Sequence, residues 1–486
     1  MRSTSTWPGR LLLLCAVFAA LLAPSPRASA AENDESPFDS RWETFEVGSL
    51  GWAGIERDAA RMGYRTNELL SFSSIAVFPG DQSGQFYATY SPAPGDFDSY
   101  RNAALRLATI NAGDSDITVS SAHVDTRTFF GKTQARGYAS SLALDATTGK
   151  KGVQLWYVHP FRRKLSRYTP KTDTLKSWDL SERLPIYNKS WHWGGHWLSF
   201  FVDRDKPVVH ISAYKRRAHY LTYNTAKGAF TAEEMVGIPA SSWIMRTKNG
   251  IRIFSVGYYR FLRFRSAEGE PEHRAPGADE ATWNMTALTP MPLSRRELLP
   301  FTDGDKRPHL LYTDDSNRIF HLEPDGKLWR QELVTRFGKV TKKQGKMPRP
   351  TLSTSAMVSP DGVIHLSCYR PKDGQILHLW REGGTWYREK VAAAKSVYST
   401  SLLYHDGSII IAWTNVGKRR VMAAARSATD GSKDRGKPLE SAPPIHYLPQ
   451  GGRGVTSLHD AAGRGDLDLM KRLVKLGAKA NGRRRN

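Results

Sequence analysis

A short pattern recurs along most of this 486-residue chain and constrains its fold more than any other feature. Each copy has small polar residues, an apolar run and a turn, and copies begin at Phe72 (FSSIAVFPGD), Tyr138 (YASSLALD), Gly194 (GGHWLSFFVD), Ala240 (ASSWIMRTKNG), Ser294 (SRRELLPFTDG), Ser353 (STSAMVSPDG) and Tyr398 (YSTSLLYHDG). The turn glycines Gly250, Gly304, Gly362 and Gly407 are 54, 58 and 45 residues apart. Repeats of this length are typical of architectures that use one sheet per repeat.

Further strand-like segments follow each copy. A second apolar strand such as VIHLSCYRP or IIIAWTN comes first, and a third such as RIFHLEP follows it. The fourth segment often begins with tryptophan, as at Trp178, Trp283, Trp329 and Trp386. Alternation of apolar and polar residues with a period of two, broken by turn glycines, predicts strands. The sequence therefore predicts an all-β fold made of seven four-stranded units.

The two ends of this repeat region complement each other. The seventh unit has three strands and then a tail rich in Gly, Ser, Lys and Pro, while the segment RWETFEVGS from Arg41 copies the fourth-strand pattern. An N-terminal strand that completes the last sheet protects strand edges by closing a ring. We therefore expect a seven-bladed β-propeller over residues 38–428. Six or eight blades stay open, because the first unit carries an insertion between Ser99 and Phe130.

The repeat resembles the sialidase-like and BNR-type propellers, which include polysaccharide lyases of this fold. The sialidase box Ser-x-Asp-x-Gly-x-Thr-Trp is absent, because SPDGVIHL and EPDGKLW have its turn without its spacing. The resemblance therefore implies an architecture and no activity, since one fold hosts many functions.

The C-terminal residues change character. Residues 429–453 predict a linker, and residues 454–486 resemble an ankyrin repeat in Thr456, Leu458, His459, Ala461, Ala462, Gly465, Leu473, Leu476, Gly477, Ala478 and Asn481. The resemblance implies a short α-helical unit that mediates protein–protein contact. One ankyrin unit does not bury its own apolar face, so we expect it to dock on the propeller, stack on a protein partner or be truncated.

The first 30 residues predict a secretory signal peptide. Arg2 and Arg10 precede an apolar run from Leu11 to Ala23, and Ala28 to Ala30 form a cleavage site of small residues. The run is too short for a membrane span, and no longer one follows. We expect a secreted or periplasmic protein cleaved after Ala30. Only Cys368 would then remain, so no internal disulfide is expected.

The chain is strongly basic, with a formal net charge of +23. An exported basic protein meets acidic polysaccharide or another anionic surface more readily than nucleic acid. No nucleic-acid module, phosphate-binding glycine loop or serine-hydrolase elbow occurs in the sequence. No cofactor is expected either.

The segment SWHWGGHW from Ser190 is the main candidate for a ligand site. It lies at the entry to the third unit and offers Trp191 and Trp193 as sugar-stacking residues. His192 or His196 is a candidate general base, with Tyr214 or Tyr258 as proton donor. The two histidines would make half a zinc site without an evident third ligand, so no metal is expected.

The loops that join second to third strands are basic. In a propeller they open on the same face as the entry loops, and they add these candidate ligand-binding residues: His159, Arg162, Arg163, Arg216, Arg217, Arg260 and Arg370. Each of these residues alone is more often structural, so the hypothesis of a ligand site depends on their placement on one face.

Two functions fit this arrangement. The first is a secreted recognition protein whose propeller binds an anionic glycan or protein and whose ankyrin unit contacts a protein partner. The alternative is an extracellular polysaccharide lyase or glycoside hydrolase that acts on acidic polysaccharide, for which a base, a proton donor and an arginine near the uronate carboxylate would be needed.

Overall fold

The structure is a computed structural model of the chain. The chain consists of two compact units, Met1–Glu35 and Ser36–Asn486. The residues described below all belong to the second unit and are 41–49, 74–91, 105–112, 117–125, 143–149, 151–159, 164–180, 198–203, 205–215, 217–235, 242–248, 250–256, 262–267, 283–287, 293–314, 318–326, 328–336, 354–394, 397–415, 418–428, 437–439, 443–451, 455–456 and 470–471. The predicted signal peptide lies outside them.

The described residues form strands and one 3-10 turn at Pro170–Thr172, with helical backbone only at Met470 and Lys471. The strands are β1 (Glu43–Ser49), β2 (Ser74–Pro79), β3 (Gln85–Ser91), β4 (Leu105–Ala112), β5 (Ile117–Asp125), β6 (Ala143–Gly149), β7 (Gly152–His159), β8 (Lys164–Thr169), β9 (Thr174–Asp179), β10 (Leu198–Val202), β11 (Val208–Lys215), β12 (Arg217–Asn224), β13 (Ala229–Met235), β14 (Ser242–Thr247), β15 (Gly250–Val256), β16 (Leu262–Ala267), β17 (Trp283–Ala287), β18 (Leu293–Thr302), β19 (Pro308–Asp314), β20 (Arg318–Asp325), β21 (Leu328–Arg336), β22 (Thr354–Val358), β23 (Ile364–Arg370), β24 (Gln375–Glu382), β25 (Thr385–Ala393), β26 (Val397–His405), β27 (Ser408–Asn415), β28 (Arg420–Ser427), β29 (Lys437–Pro438), β30 (Ile445–Gly451) and β31 (Val455–Thr456).

These strands pair into six antiparallel sheets of a β-propeller. The orders are β2-β3-β4-β5, β6-β7-β8-β9, β10-β11-β12-β13, β22-β23-β24-β25-β29 and β1-β28-β27-β26, and a ten-stranded sheet holds β14 to β17 and β18 to β21 with β30 between them and β31 on β30. The prediction of a seven-bladed propeller is therefore wrong. A C-terminal strand, β30, hydrogen-bonds to both β17 and β21 and merges what the repeat predicted as separate sheets.

Serine side chains join the first strands of neighbouring sheets. β6 packs on β10, β10 on β14, β14 on β18, β18 on β22, β22 on β26 and β26 on β2. The backbone N–H groups of Ile244, Leu402 and Val77 donate to the hydroxyls of Ser199, Ser355 and Ser401 at 3.2, 3.0 and 3.1 Å, respectively. These serines of the repeat therefore link neighbouring sheets through hydrogen bonds.

The ring closes between the ends of the repeat region. The N-terminal strand was predicted to complete the sheet of the seventh unit, and this pairing is confirmed. β1 pairs with β28 from Glu43 opposite Ala425 to Ser49 opposite Arg420, in a sheet with β27 and β26. Apolar side chains of this sheet pack against those of the first sheet, as Val421 and Ala423 do with Ile75 and Phe86. Similar apolar clusters fill the other spaces between sheets.

The C-terminal segment adds strands to the outside of the ring. Pro438 of β29 pairs with Tyr387 of β25, and Tyr447 of β30 pairs with Trp329 of β21. Both strands lie within residues 429–453, where the sequence predicted a linker. The segment therefore lies along outer strands of three of the four-stranded units.

The prediction of an α-helical ankyrin unit is wrong. β31 carries Val455 and Thr456 as an extended segment paired with Leu448 and Pro449 of β30, so the start of the ankyrin-like sequence extends a sheet. An isolated helix pair has no neighbour to cover its apolar face, whereas β31 finds strand hydrogen bonds on β30. Within the described part of the chain, no helix has the length and apolar character needed to cross a membrane.

We expect Ser401→Ala to destabilise the propeller. The substitution removes the acceptor of the buried Val77 N–H, and an unsatisfied buried donor costs about 1–3 kcal/mol. The free energy of unfolding, measured by equilibrium urea denaturation, should fall by that amount. Thr174→Ala is the control, because its exposed hydroxyl bonds only to Thr172. An equally small change in the free energy of unfolding of both variants would contradict the role of Ser401 in linking the two sheets.

Candidate functional site

The two ends of the strands differ in what they present. At one end lie the turns between first and second strands, where neighbouring sheets touch: Asp81 Oδ1 accepts from Val153 N at 2.6 Å, and Lys248 N donates to Lys306 O at 3.0 Å. The hairpins between second and third strands open at the other end, which we call the hairpin end. Because equivalent turns meet around the ring, these hairpins share one side of the propeller.

Basic residues mark the start of the third strands at the hairpin end. In six of the four-stranded units the first or second residue of the third strand is cationic, namely Arg106 (β4), Lys164 (β8), Arg217 (β12), Arg263 (β16), Arg318 (β20) and Arg420 (β28). β24 begins with Gln375 instead, but its hairpin partner Arg370 ends β23. In six units, a basic residue therefore stands at or next to the start of the third strand, at the hairpin end.

The structure describes four of the residues proposed from the sequence, and all lie near the hairpin end. His159 ends β7, Tyr214 is next to last in β11, Arg217 begins β12 and Arg370 ends β23. The remaining candidates lie outside the described residues: Arg162, Arg163, Trp191, His192, Trp193, His196, Arg216, Tyr258 and Arg260.

Arg370 is held by its own hairpin. Its Nε donates to Asp373 Oδ1 at 2.9 Å and its Nη2 to Gln375 Oε1 at 2.6 Å. Arg420 likewise pairs with Glu46 of β1. These two cations stabilise the hairpin and the ring closure, so a ligand would have to compete with those partners.

A second polar cluster lies between β19, β20 and β21, where the sequence analysis proposed none. His309 Nδ1 and His321 Nε2 are 3.0 Å apart, and His321 Nδ1 lies 3.0 Å from Glu332 Oε1. The two imidazoles are stacked, with ring centroids 5.2 Å apart. At the turn side, His309 Nε2 lies 3.4 Å from Asp303 Oδ2. We call this line of four side chains the first histidine cluster.

Arg330 of the same sheet, and Arg381 and Trp386 of the neighbouring sheet, bind Glu332 of this cluster and Glu323 beside it. Trp386 Nε1 donates to Glu332 Oε1 at 2.9 Å, and Arg381 Nε lies 2.8 Å from the same oxygen. Glu323 Oε1 lies 2.8 Å from Arg330 Nη1 and 3.1 Å from Arg381 Nη2. The cluster is therefore a buried ionic network that spans two four-stranded units.

Burial controls protonation here. It lowers the pKa of His309 to about 4, helped by His321 and opposed by Glu323 and Asp303. Burial raises the pKa of Glu332, but the hydrogen bond with His321 and the charges of Arg381 and Arg330 outweigh it, so this pKa lies below its usual value. At neutral pH, the cluster therefore holds an uncharged His309 and an ionised Glu332, with His321 between them.

A second histidine cluster repeats the design one unit further along. His365 Nδ1 and His378 Nε2 are 3.0 Å apart, and His378 Nδ1 lies 2.7 Å from Glu389 Oε1. Arg426 of β28 binds the same oxygen through Nη2 at 2.9 Å and covers the ring of Trp42. Cross-strand pairing is also the same, with His378 opposite Glu389 as His321 is opposite Glu332.

Burial lowers the pKa of both histidines in the second cluster. For His365, the neighbouring His378 and Arg426 add to the effect, and the pKa falls well below its usual value. For His378, the Glu389 carboxylate opposes burial without cancelling it.

A partial third copy lies on β11 and β12. His210 Nδ1 is 2.8 Å from Tyr220 Oη, so a tyrosine occupies the place of the second histidine. His210 Nε2 is 3.6 Å from Asp203 Oδ2, which corresponds to Asp303. The sequence signal for these clusters was the recurring histidine of PHLL, IFHL, VIHL and ILHL.

No protein-family model and no curated protein matches the chain. Among solved structures, it is similar to a triple mutant of AofleA from Arthrobotrys oligospora, with 11% identity and a TM-score of 0.40 over 84% of this chain and 93% of that one. The polysaccharide lyase Uly1 has 11% identity and a TM-score of 0.38 over 73% and 89%. The β-propeller domain of Cps50 (Swd1) from Myceliophteria thermophila has 9% identity and a TM-score of 0.40 over 72% and 95%. At these TM-scores the likenesses carry no inference about activity.

We expect stability to fall as pH drops from 7 to 5, partly because of the second histidine cluster. His365 stays neutral in the folded state, while the unfolded chain takes up a proton below its ordinary pKa of about 6.5. Unfolding is then favoured by up to about 1.4 kcal/mol per pH unit for each such histidine. Urea unfolding of His365→Gln across this pH range should give a shallower slope than the wild type. Equal slopes would contradict this account.

Proposed function

We propose that this is an exported recognition protein that binds an anionic glycan at the hairpin end of its propeller. The observation that supports this function best is the cation at the start of the third strand in six units, from Arg106 to Arg420. Charges distributed around a ring suit a polymer with repeated negative groups better than a small single anion.

Long-range attraction favours the same kind of ligand. The formal net charge is +23, and removal of the signal peptide with Arg2, Arg10 and Arg27 would leave 23 − 3 = +20. This charge raises the local concentration of polyanions and the rate of encounter with them. Because these interactions are screened within about 8–10 Å at 0.1–0.15 M salt, binding should weaken as salt rises. The signal peptide predicted over residues 1–30 is part of this proposal, since it would deliver the protein to compartments that contain polysaccharide.

The tryptophan-rich segment completes the proposed site. Trp191 and Trp193 precede β10, whose first residue, Leu198, lies at the hairpin end. Indole rings pack on sugar faces, and cations at Arg162, Arg163, Arg216, Arg217 and Arg260 would pair with carboxylate or sulfate groups. His159 and Arg370 would lie at the edge of this surface.

We expect the double variant Lys164→Glu and Arg217→Glu to bind a sulfated or uronate-rich polysaccharide about tenfold more weakly at low salt, equivalent to about 1.4 kcal/mol. The two substitutions reverse charges on neighbouring hairpins. Binding should be measured at several salt concentrations, and the difference should shrink as salt rises.

The matched control is the double variant Lys151→Glu and Lys248→Glu. It changes the net charge equally, but both lysines are exposed in turns at the opposite end of the strands. Similar losses in both double variants would show that diffuse charge alone attracts the glycan. Ultraviolet absorbance of an unsaturated uronate in the same samples, lost in His192→Ala or His196→Ala, would instead favour the lyase.

A further inference from the structure

Three potential metal ligands converge in the first histidine cluster. Ligand atoms of His309, His321 and Glu323 all lie within 4.8 Å of one another. His309 Nδ1 is 3.0 Å from His321 Nε2 and 3.8 Å from Glu323 Oε2. Two ligands at Zn²⁺ bonding distance in a tetrahedron are about 3.3 Å apart, so small side-chain shifts suffice. We propose that these three residues form a binding site for a divalent transition-metal ion of the Zn²⁺ class.

Each histidine already has the outer partner that metal-bound imidazoles need. His321 Nδ1 lies against Glu332 Oε1 at 3.0 Å, and His309 Nε2 lies against Asp303 Oδ2 at 3.4 Å. A carboxylate on the far nitrogen holds the proton there and directs the other nitrogen's lone pair at the metal. The other two nitrogens, His309 Nδ1 and His321 Nε2, face each other at 3.0 Å, and Glu323 Oε2 lies 3.8 Å from His309 Nδ1.

Without an ion, the cluster is a line of contacts between polar atoms. From Asp303 through His309 and His321 to Glu332 there are three such contacts. A cation bound by His309 Nδ1 and His321 Nε2 would replace the contact between the two imidazoles and leave both contacts with carboxylates in place.

The second histidine cluster has a shorter line of contacts. It runs from His365 through His378 to Glu389 with two close contacts between polar atoms. In the second cluster, Trp380 is opposite His365. In the first, Leu310 is opposite Leu322, so the preceding His309 is opposite the following Glu323. The same histidine pair thus occurs once with a carboxylate at this position and once with an indole.

The donor set selects the kind of ion. Two imidazoles and one carboxylate suit Zn²⁺ and similar ions, whereas Mg²⁺ and Ca²⁺ prefer oxygen ligands. Arg330 and Arg381 bind Glu323 Oε1 at 2.8 and 3.1 Å, and Arg381 Nη1 also donates to Oε2 at 3.3 Å. Glu323 Oε2, which lies 3.8 Å from His309 Nδ1, would therefore be shared between this arginine and the ion. The site lies near the turn after β18, away from the hairpin end, so it does not depend on the proposed glycan function.

The test is a metal titration of the tag-free, full-length protein after treatment with EDTA. Zn²⁺ in competition with a chromophoric chelator should bind at one equivalent, and Co²⁺ should give the strong visible absorption of a tetrahedral site. Glu323→Gln and His309→Gln should each weaken binding at least tenfold. Wild-type protein that binds neither ion at one equivalent would overturn the proposal.

His365→Gln is the matched control, because it alters the equivalent histidine of the second cluster, where Trp380 stands in the position of Glu323. It should bind Zn²⁺ with wild-type affinity. Added Zn²⁺ should raise the melting temperature of the wild type and of His365→Gln, and leave that of Glu323→Gln unchanged. Wild-type affinity in both Glu323→Gln and His309→Gln would also overturn the proposal.

Discussion

The hydrogen bond that a first-strand serine accepts from a backbone N–H of the next sheet is the interaction on which this architecture depends. First strands lie where neighbouring sheets come closest, and a large side chain there would hold them apart. A serine hydroxyl is small and accepts from a backbone N–H that would otherwise be unsatisfied. Ser401 makes this contact with Val77 of the first sheet, so the same device that joins neighbours also closes the ring.

The closed ring also brings together the residues of the buried polar clusters. Glu332 receives Trp386 and Arg381 from the next unit, and Glu389 receives Arg426 from the last sheet. Burying a carboxylate is costly unless it is paired and fully hydrogen-bonded. The geometry of each cluster therefore depends on the spacing between the units that supply its residues.

The sequence predicted the strands and the pairing of β1 with β28, because alternation and turn glycines are local signals. It missed the six-sheet arrangement, since β30 pairs with β17 and β21 far away in the chain. It also missed the clusters: their histidines showed as a repeat, but Trp386 and Arg426 come from other units. Bulges such as that between Ile319 and Phe320 set which side chains meet, and no local pattern predicts them.

Comparison of the equivalent positions explains how one scaffold acquires different chemistry. His309, His365 and His210 occupy corresponding places on second strands, and the residues across from them include Glu323, Trp380 and Thr222. The repeated backbone fixes the histidine, so one substitution on the third strand decides whether a ligand carboxylate is present. The hairpin end varies in loop sequence, and six units keep a cation at or next to the start of the third strand, whereas β24 begins with Gln375. Because the serine hydrogen bonds hold the sheets in place, both ends are free to specialise without changing the ring.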